Sequence, residues 1–196
     1  MIIDLCCGLG GFSQAFVNAG YEVIKIDINK EFKPTIQADI CNLPLRPELN
    51  PDLLLMSPPC QRFSLACVQW PKKGVRKALE MVGSCLEAVV SLKPKRWLME
   101  NPKARLRWFI GNGKQTIRYS DYDLITKQEK LTDFWGNLCL PMVKGERRFR
   151  KEFLADPIDR LHRWRDERPR KRSLRSLIPI GVSEAILEGF ENYKRG

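Results

Sequence analysis

Short apolar runs recur along the first hundred residues, and each is followed by a glycine turn, a proline turn or an acidic residue. Runs of this length predict buried β-strands at residues 1–5, 21–26, 35–38, 52–56 and 95–99. Residues 12–19 and 76–92 instead place apolar side chains three or four positions apart, which predicts helices. Strands that alternate with helices at this spacing predict an α/β fold, in which a mainly parallel, twisted sheet carries helices on both faces.

The rest of the chain has weaker patterns. Residues 115–119, 124–127 and 131–135 predict shorter strands that complete the sheet, whereas residues 141–151 indicate irregular structure. Asp156 followed by Pro157 is typical of a helix start, and that helix should run to about residue 166. Pro179 opens a final amphipathic helix. We therefore expect a main domain at 1–140, a short segment at 141–177 and a C-terminal helix at 178–196 that packs back on the main domain.

Positive charge is concentrated in the second of these regions. The 196 residues carry a formal net charge of +11, and residues 144–175 hold thirteen Lys and Arg against six Asp and Glu. Such an excess of one sign is typical of a surface that binds a polyanion, and nucleic acid is the expected partner. The alternative is a solvated, charge-rich surface of a heat-adapted protein. The candidate contacts are Arg147, Arg148, Arg163, Trp164 and Arg165.

The cysteines indicate a reducing environment. Their number, seven, is odd, and Cys6 and Cys7 are adjacent, which does not suit a disulfide framework. His162 is the only histidine, so no histidine-based metal site is predicted. Neither a secretory leader nor an apolar run long enough to span a bilayer is evident. The expected location is the cytoplasm, and a prokaryotic or viral chain is the expected source.

Several chemically useful residues follow the carboxyl ends of the predicted strands. They are the glycine turn at 8–11, Asp27, Asp39, Cys60 and Glu100. Ligands of open parallel sheets bind beyond these ends, so the five positions should meet at one edge. The turn matches neither Gly-x-Gly-x-x-Gly nor a P-loop. Asp27 suits ribose hydroxyls and Asp39 an adenine amino group, although either could be a solvated turn residue.

Residues 57–64, with the sequence SPPCQRFS, place Cys60 on a proline-stiffened turn directly after a buried strand. Two successive prolines leave the cysteine backbone little freedom, and this placement suits a nucleophile. Taken alone, the same stretch would more often be a loop whose cysteine packs as a small apolar residue.

The ordered set of these motifs resembles the S-adenosylmethionine-dependent cytosine-C5 DNA methyltransferases, and the short phage-type members in particular. The resemblance covers about residues 1–137 and implies a Rossmann-like methyltransferase fold, with the catalytic domain at 1–140. It implies that Asp4 and the glycines bind the methionine part of the cofactor, Asp27 the ribose and Asp39 the adenine amino group, while Ile28 packs on the adenine ring. The implied cofactor-binding residues are Asp4, Cys6, Gly8, Gly10, Gly11, Asp27, Ile28, Asp39, Ile40, Ser57 and Pro59.

The resemblance also implies the chemistry. Cytosine C5 is a weak nucleophile, and addition of the Cys60 thiolate to C6 would activate it. Glu100 would offset the charge that develops on the ring, and Asn101 would help to orient Glu100. Arg62 or a helix N-terminus would lower the pKa of the thiol. The implied nucleic-acid contacts near the nucleophile are Gln61, Arg62 and Ser64, with a cytosine flipped out of duplex DNA.

The chain departs from the family pattern at several places. Cys6 replaces a phenylalanine, Pro102 replaces an aliphatic residue, and no clear Arg-x-Arg segment is found near the sixth and seventh strands, where one is expected. The candidate replacement cations are Arg118, Lys127 and Lys130, of which Arg118 is included among the predicted catalytic residues. Residues 178–182 resemble the last family motif, which returns to the cofactor pocket, although an ordinary packing helix is an equal alternative.

The forty or so residues before position 178 are too few for a typical target-recognition domain, so residues 141–177 would form a reduced recognition region, or a separate subunit would supply recognition. Two alternative functions stay open: cytosine-C5 methylation of RNA, such as tRNA, and a catalytically silent nucleic-acid-binding protein with a cofactor fold. The biological purpose, whether restriction-modification, protection or regulation, is open too.

Overall fold

The computed structural model describes residues 1–43, 47–64, 74–122, 129–142 and 177–195. The predicted strand at 124–127 and helix at 156–166 lie outside these ranges, as do Arg147, Arg148, Arg163, Trp164, Arg165 and Lys127. None of the helices in the described ranges combines the length and the apolar character that crossing a bilayer requires.

Seven strands form a single mixed sheet in the order β3-β2-β1-β4-β5-β7-β6. The strands are β1 (Ile2–Leu5), β2 (Val23–Asp27), β3 (Ile36–Gln37), β4 (Leu53–Met56), β5 (Arg96–Pro102), β6 (Gln115–Arg118) and β7 (Leu131–Gly136). The first five are parallel to one another, whereas β7 is antiparallel to both β5 and β6. The mainly parallel sheet predicted from the sequence is confirmed.

Helices cover both faces of this sheet. The helices are α1 (Gln14–Asn18), α2 (Val75–Leu92), α3 (Arg107–Ile110) and α4 (Ile180–Arg195). One core contains Phe12 and Phe16, from the segment around α1, together with Phe190 of α4. The second core lies on the opposite side, where Val82 and Cys85 of α2 pack under β1 and β4. Alternate residues of each buried strand point to opposite faces, so every central strand contributes to both cores.

The fifth strand is longer than its sequence predicts. The expectation that it ends at residue 99, with Glu100 beyond it, is wrong, because β5 continues through Pro102. The reason is a long-range pairing, in which Glu100 lies opposite Phe134 and Pro102 opposite Thr132 of antiparallel β7. Glu100 nevertheless stays at the carboxyl edge of the parallel strands, because Met99 is level with Met56, the last residue of β4.

The C-terminal helix packs against the glycine turn and α1. Ser183 of α4 donates to the Phe12 carbonyl oxygen at 2.8 Å and accepts from the Ala15 amide at 3.0 Å. Gly11 lies under the segment that leads into α4, since a methyl group added to it would lie 2.5 Å from the Ile178 carbonyl oxygen. The absence of a side chain at Gly11 thus permits close packing of the C-terminal segment.

Gly11→Ala should therefore destabilise the protein by about 1–3 kcal/mol, because backbone or helix α4 must shift to admit the methyl group. Gly83→Ala is the matched control, since Gly83 is an exposed helical residue whose added methyl group would meet no atom within 4 Å. Alanine there should stabilise the protein by about 0.5–1 kcal/mol through helix propensity. Urea unfolding of both variants checks this pair, and equal stabilities would contradict the packing role of Gly11.

Candidate active site

The loop after β4 holds Cys60 in a tight turn that is fixed from two sides. The Cys60 carbonyl oxygen accepts from the amides of Phe63 and Ser64, each at 2.9 Å. The Asn101 side chain donates to the Pro58 carbonyl oxygen at 3.0 Å, and Asn101 is fully buried. Asn101 therefore anchors the loop that carries the cysteine, whereas the sequence predicted that it orients Glu100.

Glu100 receives three hydrogen bonds on one oxygen. The Tyr119 hydroxyl donates to Oε1 at 3.0 Å and the Lys130 ammonium donates to it at 3.2 Å. The Thr132 hydroxyl donates to the same oxygen. Burial, together with the nearby Glu100 charge, raises the pKa of Tyr119 well above its ordinary value, which keeps the phenol protonated as a donor. This arrangement places charge on Oε1 and leaves Oε2 as the oxygen suited to carry or share a proton.

Cys60 and Glu100 interact electrostatically. Burial raises the pKa of the Cys60 thiol above its ordinary value, and the Glu100 charge raises it further. The Lys130 ammonium and a backbone hydrogen bond lower it. Lys130 thus supplies the compensating positive charge that the sequence attributed to Arg62, whose exposed guanidinium lies beside Gly74 instead. The free protein favours a protonated thiol, so nucleophilicity should increase as the pH rises.

The predicted catalytic role of Arg118 finds no geometric support. Its guanidinium pairs with Glu129 at 3.1 Å, and half of the Arg118 side chain is exposed. Lys130, one of the alternative cations, makes the contact with Glu100, and Thr132 lies two residues further along on β7. Lys130-x-Thr132 therefore occupies the place where an Arg-x-Arg segment was expected. Tyr119 and Thr132 were not identified from the sequence as partners of Glu100, because the pairing of β7 with both β5 and β6 brings them there.

The glycine turn and the acid after β2 form one connected unit. The Gly8 amide donates to Asp27 Oδ2 at 2.9 Å, while the Asn29 amide donates to Asp27 Oδ1 at 2.8 Å. Gly8 has a φ of 52°, and a methyl group added there would meet no atom within 4 Å. The space in front of Gly8 is thus open, as the close approach of a ligand to the backbone requires.

Asp4 lies beneath this turn and is completely buried. The Ser13 hydroxyl donates to Asp4 Oδ2 at 2.6 Å. Among the described residues, Asp4 Oδ1 and the hydroxyl oxygen of Ser57 are buried without a hydrogen-bond partner. The Ser57 amide bonds the Leu5 carbonyl oxygen at 3.0 Å, which joins the loops after β1 and β4. The unpartnered oxygens of Asp4 and Ser57 therefore lie at the carboxyl ends of β1 and β4, where a bound ligand is expected.

Burial raises the pKa of Asp4 to about 7, although the Ser13 hydrogen bond and the Lys25 charge act in the opposite direction. At pH values between 3.8, the ordinary pKa that applies in the unfolded chain, and about 7, the folded chain binds more protons than the unfolded chain. The free energy of unfolding should then fall as the pH rises through this window, at up to about 1.4 kcal/mol per pH unit.

Asp4→Asn should remove this pH dependence of the free energy of unfolding. The stability of the variant relative to wild type should therefore be greater at about pH 7.5 than at about pH 5. Urea unfolding of both proteins at the two pH values, without added ligand, measures the difference. Parallel pH profiles for wild type and variant would show that Asp4 does not titrate in this way.

The remaining predicted cofactor residues lie along the same edge. Ile28 is 58% exposed directly after β2, which leaves its side chain available to a planar ring. The Asp39 carboxylate accepts from the Cys41 amide at 3.0 Å and begins the turn that contains buried Ile40. Cys6 directly follows β1 with its thiol beside Cys85 of α2, and Gly11 packs against the C-terminal segment, so their roles in cofactor binding stay predictions.

Pro59, Gln61, Arg62 and Ser64 surround the nucleophile in the same loop. Gln61 and Arg62 are exposed, and Ser64 accepts from the Arg105 guanidinium at 2.8 Å through its carbonyl oxygen. The Arg105 amide also bonds the Phe63 carbonyl oxygen at 3.1 Å. The segment after β5 thereby fixes the distal side of the Cys60 turn.

Comparisons with known proteins bear on this arrangement. A model of the C-5 cytosine-specific DNA methylases matches residues 1–107. The type II methyltransferase M.HindV of Haemophilus influenzae is 32% identical over 113 residues, which are 50% of this chain and 36% of the relative. M.AplI of Arthrospira platensis is 27% identical over 121 residues, or 54% of this chain and 32% of the relative. M.AquIA of a Picosynechococcus species is 28% identical over 135 residues, or 59% of this chain and 54% of the relative.

A structural comparison gives the same fold. The crystal structure of an E. coli prophage protein, described as a DNA modification methyltransferase, aligns with a TM-score of 0.52 at 18% identity. The alignment covers 74% of this chain and 51% of the other. The chain spans between about a third and a half of the length of the three type II methyltransferases it matches.

Proposed function

The chain belongs to the C-5 cytosine-specific DNA methylase family, and from that premise we propose that it transfers a methyl group to C5 of cytosine in DNA. The observation that carries the proposal is the placement of Cys60 and Glu100 at the same edge of the sheet, where buried Asn101, the neighbour of Glu100, donates to the Pro58 carbonyl oxygen of the Cys60 loop at 3.0 Å. A thiol suits addition to C6 of the ring, and a buried carboxyl group suits the ring nitrogen N3.

Each residue then has a defined part. The Cys60 thiol loses its proton and its sulfur forms a bond to C6, which makes C5 nucleophilic. Glu100 holds or shares a proton at N3 through Oε2, because Oε1 is engaged by Tyr119, Thr132 and Lys130. S-adenosylmethionine supplies the methyl group that C5 takes up. When water then takes the C5 proton, the electron pair of that C–H bond re-forms the C5–C6 double bond, the C6–sulfur bond breaks and Cys60 is regenerated as a thiolate.

The residues at the carboxyl edge fit S-adenosylmethionine. Buried Asp4 has an unpartnered Oδ1, and a ligand ammonium group would offset the cost of burying this carboxylate. Asp27 lies beside the open space at Gly8, where an acid can accept from ribose hydroxyls. Exposed Ile28 suits contact with adenine, and Asp39 suits the adenine amino group.

We further propose that residues 144–175 bind the phosphates of duplex DNA while the target cytosine is flipped out. The support is their thirteen Lys and Arg against six Asp and Glu. Affinity for duplex DNA should fall with salt, with a log-log slope of about −0.9 for each neutralised phosphate. Filter binding at several salt concentrations measures the slope, and an affinity independent of salt would contradict this role. The division into a catalytic domain at 1–140, a recognition segment at 141–177 and a C-terminal helix remains part of this proposal.

One assay tests the function directly. The protein is incubated with methyl-labelled S-adenosylmethionine and duplex DNA, single-stranded DNA or tRNA, and the methylated base is identified by mass spectrometry of nucleosides. We expect 5-methylcytosine in duplex DNA. Methylation of tRNA alone would show that RNA is the substrate of the same chemistry. Methylation at N4 or N6 would exclude the mechanism, and no methyl transfer to any substrate would contradict the proposed activity. If a recognition subunit exists, it should purify with the chain from its native host.

A further inference from the structure

Lys25 lies across the glycine turn. It belongs to β2, where it is level with Asp4 of β1, so the two side chains emerge on the same face of the sheet. A methyl group added to Gly10 would lie 2.8 Å from the Lys25 Nζ and 3.3 Å from its Cε. The lysine side chain therefore occupies the space that a side chain at residue 10 would need. Gly10 has a φ of 77°, which also favours glycine there.

The Lys25 ammonium group has no close negative partner among the described residues. Lys25 is partly buried, and within the described ranges no carboxylate oxygen lies within 4.0 Å of its Nζ, the distance limit for an ion pair. Its charge nevertheless acts on the turn, since it lowers the pKa values of both Asp4 and Cys7. A partly desolvated cation without a close counter-ion favours the binding of an anionic group.

From this placement we infer that Lys25 binds the carboxylate of the methionine part of S-adenosylmethionine and selects for ligands that carry it. The inference rests on the proposed function, which supplies the ligand. The methionine part carries one ammonium and one carboxylate group, and the turn has one negative and one positive side chain to match them. Asp4, with its unpartnered Oδ1, can accept from the ammonium group, and Lys25 can donate to the carboxylate.

A simpler role for Lys25 would be to stabilise the buried Asp4 carboxylate. That role predicts a loss of stability on substitution, or an equal loss of affinity for every ligand of the turn. Recognition of a carboxylate predicts instead that affinity is lost only for ligands that carry the carboxylate. Two ligands that differ only in this group therefore distinguish the two roles.

Isothermal titration calorimetry without DNA makes this comparison with S-adenosylmethionine and decarboxylated S-adenosylmethionine, which keeps the ammonium group. The variant is Lys25→Met, with Lys25→Gln as a second substitution should the first lower the melting temperature. The control is Lys30→Met, which removes an exposed lysine five residues further along. We expect Lys25→Met to weaken S-adenosylmethionine about tenfold and decarboxylated S-adenosylmethionine less than about twofold, as a charged hydrogen bond to one group requires.

Lys30→Met should change neither affinity by more than about twofold, which shows that the loss is not an effect of net charge. Lys25→Arg should keep the preference for the carboxylate. Equal weakening of both ligands by Lys25→Met, or no weakening of either, would overturn the assignment while wild-type binding still supports the proposed cofactor. A wild-type protein that binds neither ligand would overturn both the assignment and the proposed cofactor.

Discussion

Cys60→Ser is expected to lower the rate of methyl transfer at least about a thousandfold, because a serine hydroxyl near neutral pH cannot supply the nucleophile that adds to C6. The fold should be unaffected, since serine is close in size to cysteine and the Cys60 turn is held by backbone hydrogen bonds and by Asn101. The measurement is single-turnover methyl transfer to duplex DNA at saturating S-adenosylmethionine.

Cys139→Ser is the matched control for this experiment. Cys139 is also a free cysteine, but it is exposed and lies beyond β7, away from the Cys60 loop. We expect this variant to keep the wild-type rate. A Cys60→Ser protein that methylates DNA at a rate close to wild type would exclude Cys60 as the nucleophile.

Glu100→Gln should produce two effects of opposite sign. Methyl transfer should slow by about a hundredfold or more, because glutamine cannot provide the acid that neutralises charge at N3. Alkylation of Cys60 by iodoacetamide should become faster, because the Glu100 charge raises the pKa of the thiol and its removal increases the thiolate fraction. A purely structural role for Glu100 would not predict faster alkylation.

Lys130→Met supplies the opposite control for the alkylation measurement. The Lys130 ammonium lowers the pKa of Cys60, so its removal should slow alkylation at a fixed pH. Peptide mass spectrometry of the Cys60 fragment over a range of pH values separates the two variants. Glu100→Gln and Lys130→Met proteins whose alkylation profiles move in the same direction would contradict the proposed electrostatic coupling.

The sequence was sufficient to predict the elements whose determinants are local. Apolar runs identified the first four parallel strands within one or two residues, and the residues at their carboxyl ends converge at one edge because the carboxyl ends of parallel strands must do so. Cys60 and Asp27 could be found in this way, since Asp27 ends β2 and Cys60 lies in the loop after β4.

Contacts between distant segments could not be predicted so well. The strand β5 runs through Glu100 because β7, thirty residues later, pairs with it. Tyr119 and Thr132 reach Glu100 through the antiparallel pairing of β7 with β5 and β6, so no local pattern marks them as partners of Glu100. Gly11 resembles a ligand-binding glycine in sequence, but its close neighbour is Ile178, more than 160 residues away.

Arg118 and Lys130 illustrate the same point for the catalytic cation. Both are basic residues near the last two strands, and the sequence prediction placed Arg118 rather than Lys130 among the catalytic residues. The Tyr119 amide bonds the Lys130 carbonyl oxygen at 3.1 Å, and the side chain of Lys130 turns inward to Glu100 while Arg118 faces Glu129. The direction of each side chain follows from the register of β6 and β7, which depends on the packing of the whole sheet.

The most direct test of the account is a covalent trap. Duplex DNA made with 5-fluorocytosine in place of cytosine is incubated with the protein and S-adenosylmethionine, and the products are separated under denaturing conditions. Fluorine at C5 cannot leave as a proton does, so the bond between Cys60 and C6 should persist. We predict a protein–DNA adduct whose modified peptide contains Cys60 and which Cys60→Ser abolishes. Methylation of normal DNA without any trapped adduct, or an equal adduct with Cys60→Ser, would contradict the account.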